Sequence, residues 1–144
     1  MRYLPDVNLW IALLDDAHTH SARANAFIEK RGLKISTCPL VENGVIRVLN
    51  LPGYGLRGAI GIDQVRQQLK RATTELDHEF WPDDVSILDD NRVHFSKVFG
   101  HNQITDVYLL ALAVAHRGAL VTFDQRIALT AVKGATEKHL VVLR

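Results

Sequence analysis

At 144 residues, 47% of them hydrophobic and 23% charged, the chain has the make-up of one globular domain with a core of its own, which excludes intrinsic disorder. A net charge of +1 weighs against a strong non-specific polyanion binder while leaving a local basic face open. The single cysteine, Cys38, excludes an internal disulfide and fits a reducing, cytoplasmic compartment. The apolar stretch 7–14 is flanked by Asp6 and Asp15 and interrupted by Asn8, so it reads as neither a signal peptide nor a membrane span.

Apolar periodicity then divides the chain into alternating short strands and longer helices. Residues 2–5 are predicted as an extended entry, followed by helical character from Leu9 to Asp15. Residues 21–31 read as a helix ended by Gly32, and 34–38 as a strand bounded by Pro39, whose fixed φ suits the first turn of the next helix. That helix carries Val41, Val45, Ile46 and Leu49. The segment 52–61 holds glycines 53, 55, 58 and 61 and is predicted as a flexible connection. A surface helix follows over 62–74, with Val65 and Leu69 four apart, then a strand at 85–88 and a helix over 91–99. Residues 104–117 form the most apolar helix, and strands are predicted at 119–123 and 140–143. The pattern implies one α/β domain over 1–144, with four to five parallel strands and helices on both faces. Ligands of such folds sit beyond the carboxyl ends of the strands.

Most acidic residues fall in turns, as with the pairs Asp15–Asp16, Asp83–Asp84 and Asp89–Asp90, where they read as caps and solvated loop positions. Four others stand in apolar sequence: Asp6 in YLPDVNLW, Glu42 in CPLVENGV, Asp106 in ITDVYLLALA and Asp124 in LVTFDQRI. Asp6 and Asp124 follow predicted strands; Glu42 and Asp106 lie in the first turns of the two most buried helices. Each acid alone is explained by helix capping or the helix dipole, worth about 0.5–2 kcal/mol. Thr105 already supplies a cap oxygen for the 104–117 helix, however, and Pro39 already fixes the start of the helix carrying Glu42. Gathered at one edge, carboxylates about 4 Å apart repel by roughly 4 kcal/mol at an effective dielectric near 20, so something must offset them. A hard divalent cation does so. Oxygen ligands without a His or Cys cluster favour Mg²⁺ or Mn²⁺, whose natural chemistry at such a site is hydrolysis of a phosphodiester.

PDVNLWIALL near the start, PLVENGVIRV in the middle, and TDVYLLALA with LVTFD near the end resemble, in order and spacing, the motifs of PIN-domain ribonucleases, specifically VapC-type toxins of bacterial toxin–antitoxin pairs. The resemblance covers nearly the whole chain. It implies the three-layer PIN-like fold and a metal-dependent endoribonuclease, with Asp6, Glu42, Asp106 and Asp124 as catalytic and metal-binding acids and Mg²⁺ or Mn²⁺ as cofactor. It further implies RNA as substrate, Asn8, Thr105 and Thr122 as polar support, a VapB-type antitoxin as partner, and a homodimer. Val107, where a small alanine is common, and Gln125–Arg126–Ile127, in place of a frequent acidic and aromatic continuation, depart from the pattern and bear on substrate preference.

Two other functions fit the same residues less well. A non-catalytic RNA-binding or regulatory protein on this fold has no need of all four acids. A phosphoacceptor domain wants an aspartate after the middle strand and a lysine after a late one, where this chain has Thr37–Cys38 and Leu143–Arg144. Of the seven histidines, His18 and His20 are read as capping or surface residues pointing apart, and His101 as a loop residue near the substrate. Arg2, Arg47, Arg92, Lys97 and Arg126 are candidates for phosphate contacts. Trp10 and Phe27 read as core or dimer-contact aromatics, and Trp81, beside Pro82, as an exposed ring able to stack on a base.

Overall fold

The computed structural model describes residues 1–54 and 61–144; glycines 55 and 58 of the predicted flexible connection lie outside the described residues. Five parallel strands, β1 (Tyr3–Pro5), β2 (Lys34–Thr37), β3 (Asp77–Phe80), β4 (Ala119–Thr122) and β5 (Leu140–Val142), form one sheet in the order β3-β2-β1-β4-β5. The helices are α1 (Val7–Leu14), α2 (Ser21–Ile28), α3 (Pro39–Leu49), α4 (Ile62–Glu75) and α5 (Ile104–Ala115). The chain winds outward from β1 through β2 to β3, then returns to lay β4 and β5 on the other side. The strand order therefore reverses between β1 and β4, which opens a crevice at their carboxyl ends.

Alternating strand residues feed two apolar clusters. Leu4 and Leu120 join Val41, Val45, Val65, Leu69 and the buried residues of α5, while Tyr3 and Val121 join Leu9, Ala12, Ala24 and Phe27 of α1 and α2. The helix α1 is shared between the clusters, with Trp10 and Ile11 in one and Leu9 and Ala12 in the other. It also packs close to α3: a Cβ at Gly44 would stand 2.8 Å from a Val7 methyl. Five strands with apolar layers on both faces match the expected α/β architecture. Among the described residues, no helix is long and apolar enough to cross a membrane.

The principal departures lie between α4 and α5. The third strand is Asp77–Phe80, directly after α4, and not 85–88. Its sequence, DHEF, has no apolar alternation because it is an edge strand with Asp77, Glu79 and Phe80 exposed. Residues 85–88 are irregular: Val85 is buried, but Leu88 is 85% exposed. The helix predicted over 91–99 is reduced to a 3-10 turn at Phe95–Lys97, because Val93 makes an antiparallel bridge to Val132 and the His94 amide donates to the Ala131 carbonyl at 2.9 Å. The helix predicted to Arg31 stops at Ile28, with Gly32 at φ 73° in the turn beyond it.

Two further expectations are corrected here. Arg2 is a structural side chain: its guanidinium donates to the carbonyls of Ile35 (2.8 Å) and Asp77 (2.9 Å) and pairs with Asp77 and Glu79, tying β1 to β2 and β3. Trp81 is 2% exposed, with its indole N–H on Glu79 (3.0 Å) and its ring stacked 4.6 Å from His116. A glycine is needed at 118, where a Cβ would meet the Arg2 carbonyl at 2.5 Å and the Trp81 ring at 2.6 Å.

Candidate active site

The crevice between β1 and β4 receives Asp6 and Asp124, one residue past β1 and two past β4 respectively. Asp6 is the N-cap of α1, its Oδ1 accepting from the Leu9 amide at 2.8 Å. Its other oxygen accepts from the Thr122 hydroxyl at 2.6 Å, and the same Thr122 oxygen accepts from the Asp124 amide at 3.0 Å. One buried hydroxyl at the end of β4 thus spans both aspartates. It is available for this because residues 122 and 124 flank the strand end and Thr122 is wholly buried.

Asp6 is itself only 5% exposed. Burial pushes its carboxyl above the ordinary value, against the hydrogen bonds from Thr122 and Leu9, and the charge of Asp124 pushes the same way. Asp106, in the first turn of α5, rises to about 6, first through burial and then through the charges of Asp6 and Asp124. Asp124 goes the other way. Its carboxylate accepts from the Arg126 backbone amide at 2.8 Å and from the Arg126 guanidinium at 3.1 Å on each oxygen, which holds it below the usual range. The charges of Asp6 and Asp124 thus reach Asp106, that of Asp124 reaches Asp6, and the exposed Arg126 offsets part of the charge on Asp106.

Glu42 stands apart from this group. Its Oε2 accepts from the Thr37 hydroxyl at 2.6 Å, and that hydroxyl also lies 2.7 Å from Nε2 of His78 on β3. The arrangement mirrors Thr122 and Asp6, with a wholly buried strand-terminal threonine holding a carboxylate. Glu42 also borders a cavity of roughly 250 Å³ with Ile46, Arg66 and Lys70, between α3 and α4. Desolvation lowers the His78 imidazole, against the charge of Glu42.

Of the supporting residues, Thr122 lies between the aspartates. Asn8 is exposed; its backbone contributes weakly to holding the Asp6 carboxylate, while its side chain faces a neighbouring cleft. Thr105 does not cap α5: Gln103 holds the cap position with no side-chain cap bond, because a 3-10 turn at His101–Gln103 runs directly into the helix. Thr105 is exposed on an apolar groove with Leu40, Leu88 and Tyr108. Sequence reasoning missed Thr37 and His78. Thr37 had a readable signal, a threonine ending a strand just as Thr122 does. His78 had none, because its strand was not predicted.

His18 and His20 precede α2 in a turn, so helical spacing does not separate them, and their rings lie 5.6 Å apart. His18 Nδ1 accepts from the His20 amide at 3.0 Å and so caps the turn, whereas His20 makes no side-chain cap bond.

The oxygen-only donor set of the three aspartates, with Asp6 and Asp106 raised first by burial and then by neighbouring carboxylate charge, suits a hard cation. Among the described residues no three His, Cys, Asp or Glu side chains are gathered into a ready-made cage.

A family model for the PIN domain matches residues 3–133. Ribonuclease VapC44 of Mycobacterium tuberculosis is 47% identical over 146 aligned residues, covering 99% of this chain and 100% of that protein. Ribonuclease VapC38 of the same organism is 41% identical over 122 residues, 84% of each chain. Among solved structures, VapBC2 from Rickettsia felis, bound to a DNA fragment from their promoter, shares the fold with a TM-score of 0.55 at 14% identity, covering 88% of this chain and 90% of that one.

Proposed function

Because the chain belongs to the PIN-domain family, and within it to the VapC ribonucleases, we propose that it is a toxin endoribonuclease that hydrolyses RNA phosphodiester bonds with the help of Mg²⁺ or Mn²⁺ at Asp6, Asp106 and Asp124. The observation that supports the site assignment is the placement of these three aspartates about the β1–β4 crevice, where burial first, and then the charges of Asp6 and Asp124, lift Asp106 to about 6. A bound divalent ion would neutralise charge on the scissile phosphate and lower the pKa of a water that attacks it.

The chain's own residues prepare the site for this. Thr122 and the Leu9 amide fix both oxygens of Asp6, so that carboxylate needs no reorganisation when it binds. Asp106 projects from the first turn of α5, and a bound cation would relieve the penalty of burial and neighbouring charge that raises its carboxyl to about 6. Arg126 shares Asp124 with any incoming cation and is close enough to the crevice to meet a phosphate oxygen once displaced. Glu42, oriented by Thr37, would be a further acid on the β2 side of the site.

Family membership also supports a VapB-type antitoxin as the inhibiting partner and a homodimer as the assembled form; light scattering of the protein alone and with its antitoxin tests both. The decisive experiment for the function is incubation of RNA with the wild-type protein and with Asp106→Asn, each with Mg²⁺ and with chelator. Cleavage is expected from the wild type with metal alone. Equal cleavage by Asp106→Asn sinks the assignment, and absence of metal-dependent turnover leaves a non-catalytic RNA-binding protein.

A further inference from the structure

Beside the aspartates opens a second feature that the reaction as described does not use. It is an open cleft of roughly 740 Å³, reached from Asp124 and lined by Asn8, His18, His20, Phe123 and Arg126 among others. Its volume lies within the range of small-ligand sites. One wall is a ring surface: the His20 imidazole lies 4.7 Å from the Phe123 ring at 37°, and the Arg23 guanidinium sits 5.3 Å from the same ring and in contact with the His20 ring. Arg23 is anchored from behind by the Leu143 carbonyl at 3.4 Å. Phe123 is the residue between Thr122 and Asp124, so the platform is covalently continuous with the acidic site.

Resting on the reading of the site as a ribonuclease, we propose that this cleft is the subsite for the nucleotide adjoining the scissile phosphate, its base stacked on His20 and Phe123 and its phosphate met by Arg23. A base offers a π-face to the rings whatever its identity, and Arg23, lying over the Phe123 ring and against His20, offers positive charge beside them. Asn8, exposed on the cleft wall two residues from Asp6, has both a donor and an acceptor for a base edge or a ribose hydroxyl. A strand whose phosphate lies over the aspartates has its neighbouring nucleotide directed into this space.

The test needs neither metal nor cleavage. The ring resonances of His20 and Phe123 are followed by NMR while the four nucleoside 5′-monophosphates are added in turn, with ribose 5-phosphate and inorganic phosphate as comparisons. The nucleotides are expected to shift both rings and the two base-free probes to leave them in place. His20→Ala is expected to weaken nucleotide binding roughly 10-fold, and Phe123→Leu, which keeps an apolar side chain in the core and removes the ring, to do the same. In cleavage assays the loss should fall on KM and not on kcat. Equal shifts from ribose 5-phosphate, or no shift from any nucleotide, or a loss confined to kcat overturns the subsite. The two readings fail separately. Ring shifts without Mg²⁺-dependent cleavage of total RNA by the wild type keep the cleft and remove the ribonuclease, whereas cleavage with silent rings does the reverse.

Discussion

At the β1–β4 crevice a wholly buried threonine hydroxyl holds a carboxylate that is itself sealed from water, while at the end of β2 an equally buried threonine holds one that remains partly exposed. The hydrogen bonds are the same length: 2.6 Å from Thr122 to Asp6 and 2.6 Å from Thr37 to Glu42. What differs is the company. Asp6 shares its surroundings with Asp106 and Asp124, whereas the nearest titratable neighbour of the Glu42–Thr37 pair is the imidazole of His78. The same donor therefore orients an acid in both places, but like charge accumulates in only one. Cation affinity follows accumulated charge, so under the proposed function the crevice would be the stronger site and Glu42 the auxiliary.

The sharpest way to break this comparison is to remove one acid from each region. Asp6→Asn and Asp106→Asn should each lower RNA cleavage by on the order of 10³-fold in a steady-state assay, and Glu42→Gln by less. Equal losses would mean that the two regions work as one cluster. The threonines come next. Thr122→Val leaves Asp6 without its orienting hydroxyl and should cost about 10- to 100-fold in metal affinity or activity, measured by calorimetric Mg²⁺ titration and by rate, with Thr37→Val the milder of the two.

Stability separates the regions further, and with a definite sign. The Asp106 carboxyl binds a proton at about 6 in the folded protein and at 3.8 in the unfolded chain, so the metal-free protein is penalised above pH 6 and gains stability as the pH falls from 6 towards 4. Discounted for partial exposure, the effect is about 1–2 kcal/mol. Urea unfolding in chelator should accordingly show Asp106→Asn more stable than wild type at pH 7.5, with the gap closing by pH 4. The smallest effect belongs to Arg126, whose pair with Asp124 is exposed: Arg126→Gln should tighten Mg²⁺ binding by less than about 5-fold, because a solvated pair is worth at most about 1 kcal/mol.

The layered α/β fold was legible because its buried parts carry strong patterns: the apolar strands β1, β4 and β5, the nearly continuous apolar run of α5, and Pro39 and Gly118 as punctuation. Legibility failed where polar residues do structural work. DHEF becomes a strand by pairing with β2 and by having its charges met by Arg2, a contact between residues 75 apart that no local pattern announces. The stretch 91–99 has helical spacing, but the long-range bridge of Val93 to Val132 overrides it. At the site, a carboxylate following a strand or opening a buried helix was visible one residue at a time. Which acids face one another was not, since Asp6, Asp106 and Glu42 are equally well flanked in sequence and only the folded contacts put Glu42 beside Thr37 and His78. Arg126 appeared among five possible phosphate contacts, and only the folded turn closes it onto Asp124.

The bond from Thr122 to Asp6 joins residues 116 apart. Synthesis proceeds from the amino terminus, so for most of its time on the ribosome the nascent chain owns the first aspartate without the strand that completes its setting. The hydroxyl, the last aspartate and its arginine emerge together within five residues. The setting of the first aspartate is thus completed late, as the fourth strand pairs beside the first.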